Sequence, residues 1–295
     1  MNTPPAADFL QATTAWQSNA GAGPTLRGRR LDNGRALIHF LHGNGFCGGV
    51  YWPFLRHLTG DYDLFCHDLE GHGASDAPAR YSGTAAIIKR VPQIIDEQCA
   101  QAAWMIGVGH SFGAAVTLAV AARRPDLFRV LVLLDPILLP TPSWLGVKLA
   151  SRLGRNPMAN AARRRRERWA SRDEALARLR GRGIYAGWCE EALASFVDHA
   201  TRDDGDGRVL CCPRELEAAI FENPVYPWRL IRRVRCPVLF LYGESSYPFL
   251  PRAARLAARL NRNLTVCAVP GGHCFMQEDP ERAATALRRY LADHV

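Results

Sequence analysis

Six short apolar segments limit the possible folds of this chain more strongly than any other feature of its sequence. Each is rich in Val, Ile, Leu or Phe and is too short for a typical buried helix, a pattern that favours a buried strand. Most of the stretches between them show a 3.6-residue apolar periodicity, which predicts amphipathic helices. Strands and helices in alternation predict an α/β fold, with a mostly parallel central sheet covered by helices on both faces.

The boundaries of these elements follow from the same patterns. The predicted strands cover residues 36–41, 62–66, 104–108, 130–134, 238–242 and 264–269, with a further edge strand at 26–31. The predicted helices between them cover residues 84–100, 112–123, 252–260 and 280–292. Thr84 is expected to cap the first of these helices, because its hydroxyl can accept a bond from a free amide of the first turn.

The strand pattern disappears between residues 140 and 227, where the chain becomes rich in arginine. Helical periodicity there predicts helices at residues 161–169, 172–179, 190–199 and 214–221. We therefore expect one α/β core formed by residues 1–139 and 228–295, and an inserted helical lid formed by residues 140–227. We interpret the lid arginines as the solvated face of a helix rather than as an anion site; they are Arg163, Arg164, Arg165, Arg166 and Arg168.

Positive charge is the main compositional bias. The formal net charge is +9, and Lys89 and Lys148 are the only lysines, so arginine supplies nearly all the cations. No nucleic-acid-binding motif accompanies the charge, and we expect no nucleic-acid partner. Contact between the arginine-rich lid and an anionic membrane surface or another polyanion stays open as an alternative.

The N-terminal sequence and the cysteines bear on the cellular compartment. Residues 1–20 lack the basic start and apolar run of a secretory signal, and no stretch approaches a membrane-spanning length. We therefore expect a soluble, cytoplasmic protein. The nine cysteines have no regular spacing, which favours free thiols over disulfides and predicts no metal site.

The strongest local motif is Gly109-His110-Ser111-Phe112-Gly113, which lies directly between a predicted strand and a predicted helix. A serine at such a turn must adopt a strained backbone conformation, and small residues two positions before and after it avoid collisions. This segment resembles the nucleophile elbow of the α/β-hydrolase family. The resemblance covers residues 31–139 and 234–295 and implies that Ser111 is a nucleophile.

The base and the acid that a serine nucleophile requires are implied by the same resemblance. His273 follows the last strand in the segment Pro270-Gly271-Gly272-His273, where the family keeps its catalytic histidine. The family's usual acid position holds Ser246 instead of an aspartate. Asp135 ends the strand at 130–134, a site similar to the alternative acid position of some lipases and haloalkane dehalogenases, and we choose it over its rival Glu244.

Two backbone amides are expected to bind the oxyanion. The first belongs to Phe112, directly after the proposed nucleophile, and the second belongs to Asn44 in the segment His42-Gly43-Asn44-Gly45-Phe46, which resembles the family's His-Gly motif. His42 and the other histidines, apart from His273, are interpreted as structural.

These assignments imply an enzyme, a serine hydrolase that cleaves a carboxylic ester or related acyl bond of a small-molecule substrate without a cofactor. A carbon–carbon bond hydrolase or a thioesterase would use the same triad and is the alternative within the fold. A ligand-binding member that has lost turnover is the alternative outside catalysis. The sequence does not specify the acyl chain or the oligomeric state.

Overall fold

The computed structural model describes residues 8–295 and contains an eight-stranded central sheet. Its strands run in the order β1-β2-β4-β3-β5-β6-β10-β11. All neighbouring pairs from β4 to β11 are parallel, and β2 is antiparallel to both β1 and β4. The strands of this sheet are β1 Thr14–Ser18, β2 Leu26–Leu31, β3 Ala36–Leu41, β4 Tyr62–Asp68, β5 Met105–His110, β6 Phe128–Leu134, β10 Val238–Gly243 and β11 Leu264–Val269.

The α/β class and the six apolar strands predicted from the sequence are confirmed. The central strands are buried almost throughout because helices cover both of their faces, which explains their continuous apolar sequences. The predicted strand at residues 26–31 is confirmed as β2. Its predicted place at the edge of the sheet is wrong, because β1 pairs with the outer side of β2 and forms the edge itself. The expectation about a secretory signal falls partly on residues 1–7, which lie outside the described residues.

Helices pack on both faces of the sheet and form two apolar cores. One core contains α3, α4 and α11, and the other contains α2, α8 and α13. The helices are α1 Phe9–Ala12, α2 Trp52–Leu55, α3 Thr84–Gln98, α4 Phe112–Ala121, α5 Thr141–Arg152, α6 Pro157–Arg164, α7 Arg172–Leu179, α8 Glu190–His199, α9 Arg214–Glu222, α10 Trp228–Ile231, α11 Leu250–Leu260, α12 Phe275–Glu278 and α13 Pro280–Ala292. No helix among the described residues combines the length and the apolar character that crossing a bilayer requires.

The predicted start of α3 at Thr84 is confirmed, but its predicted cap and the predicted start of α6 were wrong. Gly83 occupies the N-cap of α3, and the Thr84 hydroxyl instead donates to the carbonyl of Asn223 at 2.7 Å. Helix α6 begins earlier than expected because Asn156 caps it, accepting from two first-turn amides, and because Pro157 suits the first helical position. It also ends earlier than expected, at Arg164.

The sequence predicted a helical segment at residues 140–227, but the structure shows that this segment is not purely helical. It also contains a three-stranded antiparallel sheet in the order β7-β9-β8. These strands are β7 Arg168–Trp169, β8 Thr201–Asp204 and β9 Gly207–Leu210. They are short and mostly charged or half-exposed, so they lack the apolar alternation by which strands are recognised. The lid boundaries themselves stay a prediction.

The arginine-rich stretch of this segment is largely paired with acidic side chains. Arg166 and Arg168 are exposed, as predicted, and form ion pairs with Glu174 and Asp204. The prediction of a solvated side chain is wrong for Arg165, which turns inward. It binds both carboxylate oxygens of the buried Glu217, at 2.8 and 2.7 Å.

Candidate active site

Ser111 lies at a sharp turn between β5 and α4. Its φ of +54° and ψ of −115° fall in a region that side chains other than glycine rarely adopt. The flanking glycines permit this turn, because a Cβ on Gly109 would lie 2.6 Å from the Gly113 carbonyl oxygen and one on Gly113 would lie 2.4 Å from the Leu41 carbonyl oxygen. The strand therefore reverses directly into the helix and presents the serine hydroxyl at the carboxyl edge of the sheet.

The side chains of Ser111, His273 and Asp135 form one hydrogen-bonded line. His273 Nε2 is 3.0 Å from Ser111 Oγ, and His273 Nδ1 is 2.6 Å from Asp135 Oδ1. Because Nδ1 donates its proton to the carboxylate, Nε2 carries the lone pair and can accept the serine proton. The structure thus brings together the three residues that the sequence singled out, from the ends of β5, β6 and β11.

Asp135 is fully buried and is held by the last residue of β10 and by the loop that follows this strand. Its Oδ2 accepts from the Gly243 amide at 2.8 Å, and its Oδ1 accepts from the Ser246 hydroxyl at 2.6 Å. Ser246 occupies the position where the sequence led us to look for an aspartate, and it binds the carboxylate that comes from β6 instead. The side chain of the rival, Glu244, is exposed to solvent, while the Nδ1 of His273 is bonded to Asp135.

The loop that follows β3 passes close to the serine. A Cβ on Gly43 would lie 3.3 Å from Ser111 Cβ and 2.9 Å from His110 Nδ1, so only a glycine allows this approach. The next residue, Asn44, lines the same cavity as Ser111 and Phe112. The Phe112 amide is at the first position of α4 and has no intrahelical acceptor. The Asn44 side chain faces the 140–227 segment and donates to the Glu217 carbonyl at 2.9 Å.

The buried side chains of Tyr51 and His110 connect this loop to the loop of His273. No motif in the sequence predicted this connection. The Gly43 amide donates to the Tyr51 hydroxyl at 3.0 Å, and that hydroxyl donates to His110 Nδ1 at 2.6 Å. His110 Nε2 then donates to the His273 carbonyl at 2.9 Å. Burial, reinforced by the nearby imidazole of His273, lowers the pKa of His110 well below its usual value and keeps the ring neutral.

Two further buried imidazoles hold the same loop. His42 Nδ1 donates to the Gly43 carbonyl at 2.8 Å, and His72 Nε2 accepts from the Gly45 amide at 3.0 Å. Burial lowers the pKa of His72 to about 4, and that of His42 falls well below its usual value for the same reason. Both rings act structurally, as expected from the sequence.

The serine opens into an apolar cavity of about 180 Å³. Asn44, Ser111, Asn156, Tyr247 and His273 contribute polar groups to its wall, and no Asp, Glu, Lys or Arg lines it among the described residues. The apolar part of the wall comes from both the central sheet region and the 140–227 segment, and includes Ile137, Leu139, Val147, Ile220, Val225 and Phe249.

A mostly parallel sheet with helices on both faces, a strained serine between strand and helix, and a histidine loop after the last strand define the class of α/β hydrolases. The chain belongs to the alpha/beta hydrolase family, whose model matches residues 40–286. The family predicted from the sequence is thereby confirmed.

Individual relatives are more distant. Human monoglyceride lipase is 34% identical over 112 residues, a match that spans only 37% of this chain and 37% of the lipase. The 2-(acetamidomethylene)succinate hydrolase of Mesorhizobium japonicum is 27% identical over 278 residues, covering 89% of this chain and 94% of that enzyme.

Solved structures agree on the fold. A crystal structure of E-2-(acetamidomethylene)succinate hydrolase has a TM-score of 0.77 at 23% identity and covers 95% of this chain and 99% of that one. The thioesterase domain from the curacin biosynthetic pathway has a TM-score of 0.75 at 18% identity, covering 94% of this chain and 99% of that one. At these identities the likeness concerns the fold alone.

Proposed function

We propose that this protein is a serine hydrolase that cleaves a carboxylic ester with a largely apolar acyl or alcohol group. The observation that supports this most directly is the line of hydrogen bonds from Ser111 Oγ through His273 to the buried Asp135, at 3.0 and 2.6 Å. A serine hydroxyl is a weak nucleophile unless a base takes its proton during attack, and His273 Nε2 has the position and the tautomer for this role.

The reaction would proceed in two halves. Ser111 Oγ attacks the ester carbonyl carbon while His273 takes the serine proton, and the resulting oxyanion accepts bonds from the amides of Asn44 and Phe112. His273 then gives the proton to the departing alcohol, which leaves an acyl-serine. Water, deprotonated by His273, attacks this ester and releases the acid, and the proton returns to Ser111. No metal or cofactor is required for these steps.

The cavity favours a neutral substrate. A carboxylate bound there would lose hydration without gaining a cationic partner, because no Lys or Arg lines the cavity among the described residues. The relative from Mesorhizobium japonicum is named for a succinate derivative, but the apolar wall here argues against a dicarboxylate. We therefore expect uncharged esters to be hydrolysed faster than matched esters that carry a free carboxylate.

A thioesterase or a carbon–carbon bond hydrolase would use the same three side chains, and both stay alternatives to an esterase. A panel of oxygen esters, thioesters and vinylogous diketones with the same acyl group compares them directly. If thioesters or diketones were turned over faster than oxygen esters, the protein would be a thioesterase or a carbon–carbon bond hydrolase, with Ser111 still the nucleophile.

The test of the proposal is covalent labelling combined with turnover. The purified protein should release the phenol of an uncharged aryl ester and should carry a fluorophosphonate label on the peptide that contains Ser111. Ser111→Ala should lose both, whereas Ser82→Ala, at an exposed serine, should keep both. A folded protein with neither product nor label would overturn the proposal and favour a ligand-binding member of the fold.

A further inference from the structure

The outer face of α5 is apolar. The exposed fractions of Leu145 and Leu149 on this helix and of Leu153 at its C-cap are 56%, 58% and 59%. Spacings of four residues put all three on one side of the helix. We call these three leucines the leucine stripe. Solvent-facing helix surfaces are normally polar, and a contiguous apolar patch of this kind marks a contact surface.

The inner face of α5 is fixed to the rest of the protein by polar contacts. Trp144 Nε1 donates to the Pro224 carbonyl at 3.0 Å, and Lys148 Nζ lies 3.1 Å from Asn223 Oδ1. These bonds determine which side of the helix faces outward. The leucine stripe is therefore a stable feature of the surface, because turning it inward would break both anchors.

The helix that carries the leucine stripe also contributes to the wall of the cavity at Ser111. Val147, on the same helix, lines the cavity, and so do Met158 and Ile184 from neighbouring parts of the 140–227 segment. Met158 and Ile184 are also 45% and 43% exposed, so they belong to both the cavity wall and the outer surface. The cavity therefore reaches the outer surface in the same segment that carries the stripe.

Two arginines accompany the stripe. Arg152 lies on the outer face of α5, between Leu149 and Leu153, and Arg155 follows shortly after. Both side chains are exposed, and neither pairs with an acidic side chain among the described residues, unlike most lid arginines. Apolar side chains flanked by unpaired cations are complementary to a lipid surface that carries anionic headgroups.

We propose that the leucine stripe and these two arginines dock the protein on an anionic phospholipid surface, with the cavity mouth facing the lipid. The leucines enter the boundary between headgroups and acyl chains, and Arg152 and Arg155 contact lipid phosphates. Docking in this orientation would deliver apolar substrates from the lipid to Ser111. Binding to the surface needs no turnover, so this inference can be tested independently of the proposed ester hydrolysis.

Flotation of the full-length protein with lipid vesicles tests the proposal. The protein should bind vesicles of phosphatidylcholine mixed with phosphatidylglycerol, and binding should weaken as salt is raised. Leu145→Ser, Leu149→Ser and Leu153→Ser combined should weaken this binding at least about tenfold, because three apolar side chains no longer enter the lipid. Arg152→Gln and Arg155→Gln should each weaken it by about fivefold on the mixed vesicles only, with little effect on pure phosphatidylcholine.

The matched control is Leu10→Ser on α1, where a leucine of similar exposure, 53%, lies outside the stripe. This variant should bind as the unaltered protein does. Hydrolysis of a soluble aryl ester by the triple variant should be unchanged, since none of the three leucines lines the cavity. If the triple variant does not fold, Leu149→Ser alone should still weaken binding.

The proposal is wrong if the unaltered protein does not float with either kind of vesicle, or if the triple variant floats equally well. A second outcome also overturns it: a dimer in solution that the triple variant abolishes, together with no vesicle binding, would show that a second copy of the chain covers the stripe.

Discussion

At the scale of single residues, Asp135 and Glu244 can be separated by substitution. Asp135→Asn replaces the carboxylate that accepts from His273 Nδ1 with a neutral amide, and the imidazole then no longer has a strong acceptor to fix its tautomer. In hydrolases with the same arrangement, this change lowers turnover by about ten-thousand-fold. We expect a loss of that order in the kcat for an aryl ester, while Glu244→Gln should change kcat by less than about twofold. The reverse result would transfer the acid role to Glu244.

Tyr51 is expected to act as a positioning residue. Its hydroxyl connects the Gly43 amide to His110, which in turn holds the His273 carbonyl. Tyr51→Phe leaves a buried donor and a buried acceptor without partners and should lower the free energy of unfolding by about 2 kcal/mol.

The catalytic readout separates positioning from simple stabilisation. Because the loop of Gly43 also carries the proposed Asn44 oxyanion donor, kcat of Tyr51→Phe should fall by about tenfold or more while KM changes little. Tyr62→Phe, at the start of β4, serves as the control and should leave both kcat and KM unchanged. An unchanged kcat in a folded Tyr51→Phe protein, measured well below its melting temperature, would leave Tyr51 with a structural role only.

At the scale of elements, the ion pair between Arg165 and Glu217 joins the end of α6 to α9 beneath the Asn44 loop. The two side chains are only 21% and 9% exposed. Removing one partner of a buried pair leaves an uncompensated charge, which costs about 3–5 kcal/mol. Arg165→Met should therefore strongly lower the urea midpoint, and the double change Arg165→Met with Glu217→Leu should recover most of the loss.

An exposed pair in the same segment provides the comparison. Arg172 and Asp198 are 2.6 Å apart with side chains that are 44% and 39% exposed, and such pairs contribute less than about 1 kcal/mol. Arg172→Met should accordingly have a small effect. If Arg165→Met were as stable as Arg172→Met, the buried pair would not have the expected effect on stability. The same conclusion would follow if the double variant were less stable than Arg165→Met.

The elements also show what the sequence could and could not predict. Strands such as β3 and β6 were recognisable because burial on both faces requires an unbroken apolar run. Strand β8 was not, since its pairing with β9 depends on tertiary context and not on an apolar pattern. The same distinction applies to the site: Ser111 and His273 lie in local motifs, whereas Tyr51 and Arg165 gain their contacts only when distant segments meet.

At the scale of the whole molecule, five fully buried histidines couple folding to pH. Burial lowers the pKa of His39 to about 3 and that of His72 to about 4, and it holds the other three well below their usual value. The five are His39, His42, His67, His72 and His110. In the unfolded chain each would titrate near pH 6.5.

The direction of the effect follows from proton binding. Below about pH 6.5 the unfolded chain binds protons that the folded protein excludes, so the free energy of unfolding falls as the pH is lowered. Asp68 acts in the opposite direction: burial raises its pKa to about 6, so between about pH 6 and pH 4 the folded protein binds a proton that the unfolded chain does not. One carboxyl group offsets one of the five imidazoles, and the net effect remains a loss of stability in acid.

Urea denaturation between pH 7.5 and pH 5 measures this effect, and we expect the free energy of unfolding to decrease steeply below about pH 6.5. His39→Leu provides the internal comparison, because the His39 ring is stacked between Phe65 and Phe128 and its Nδ1 has no hydrogen-bond partner among the described residues. Removing this one imidazole should reduce the slope by about 1.4 kcal/mol per pH unit in the acid range, the value for a single proton. A slope in His39→Leu equal to that of the unaltered protein would mean that His39 is protonated in the folded state, and a stability independent of pH would exclude neutral burial for the whole group.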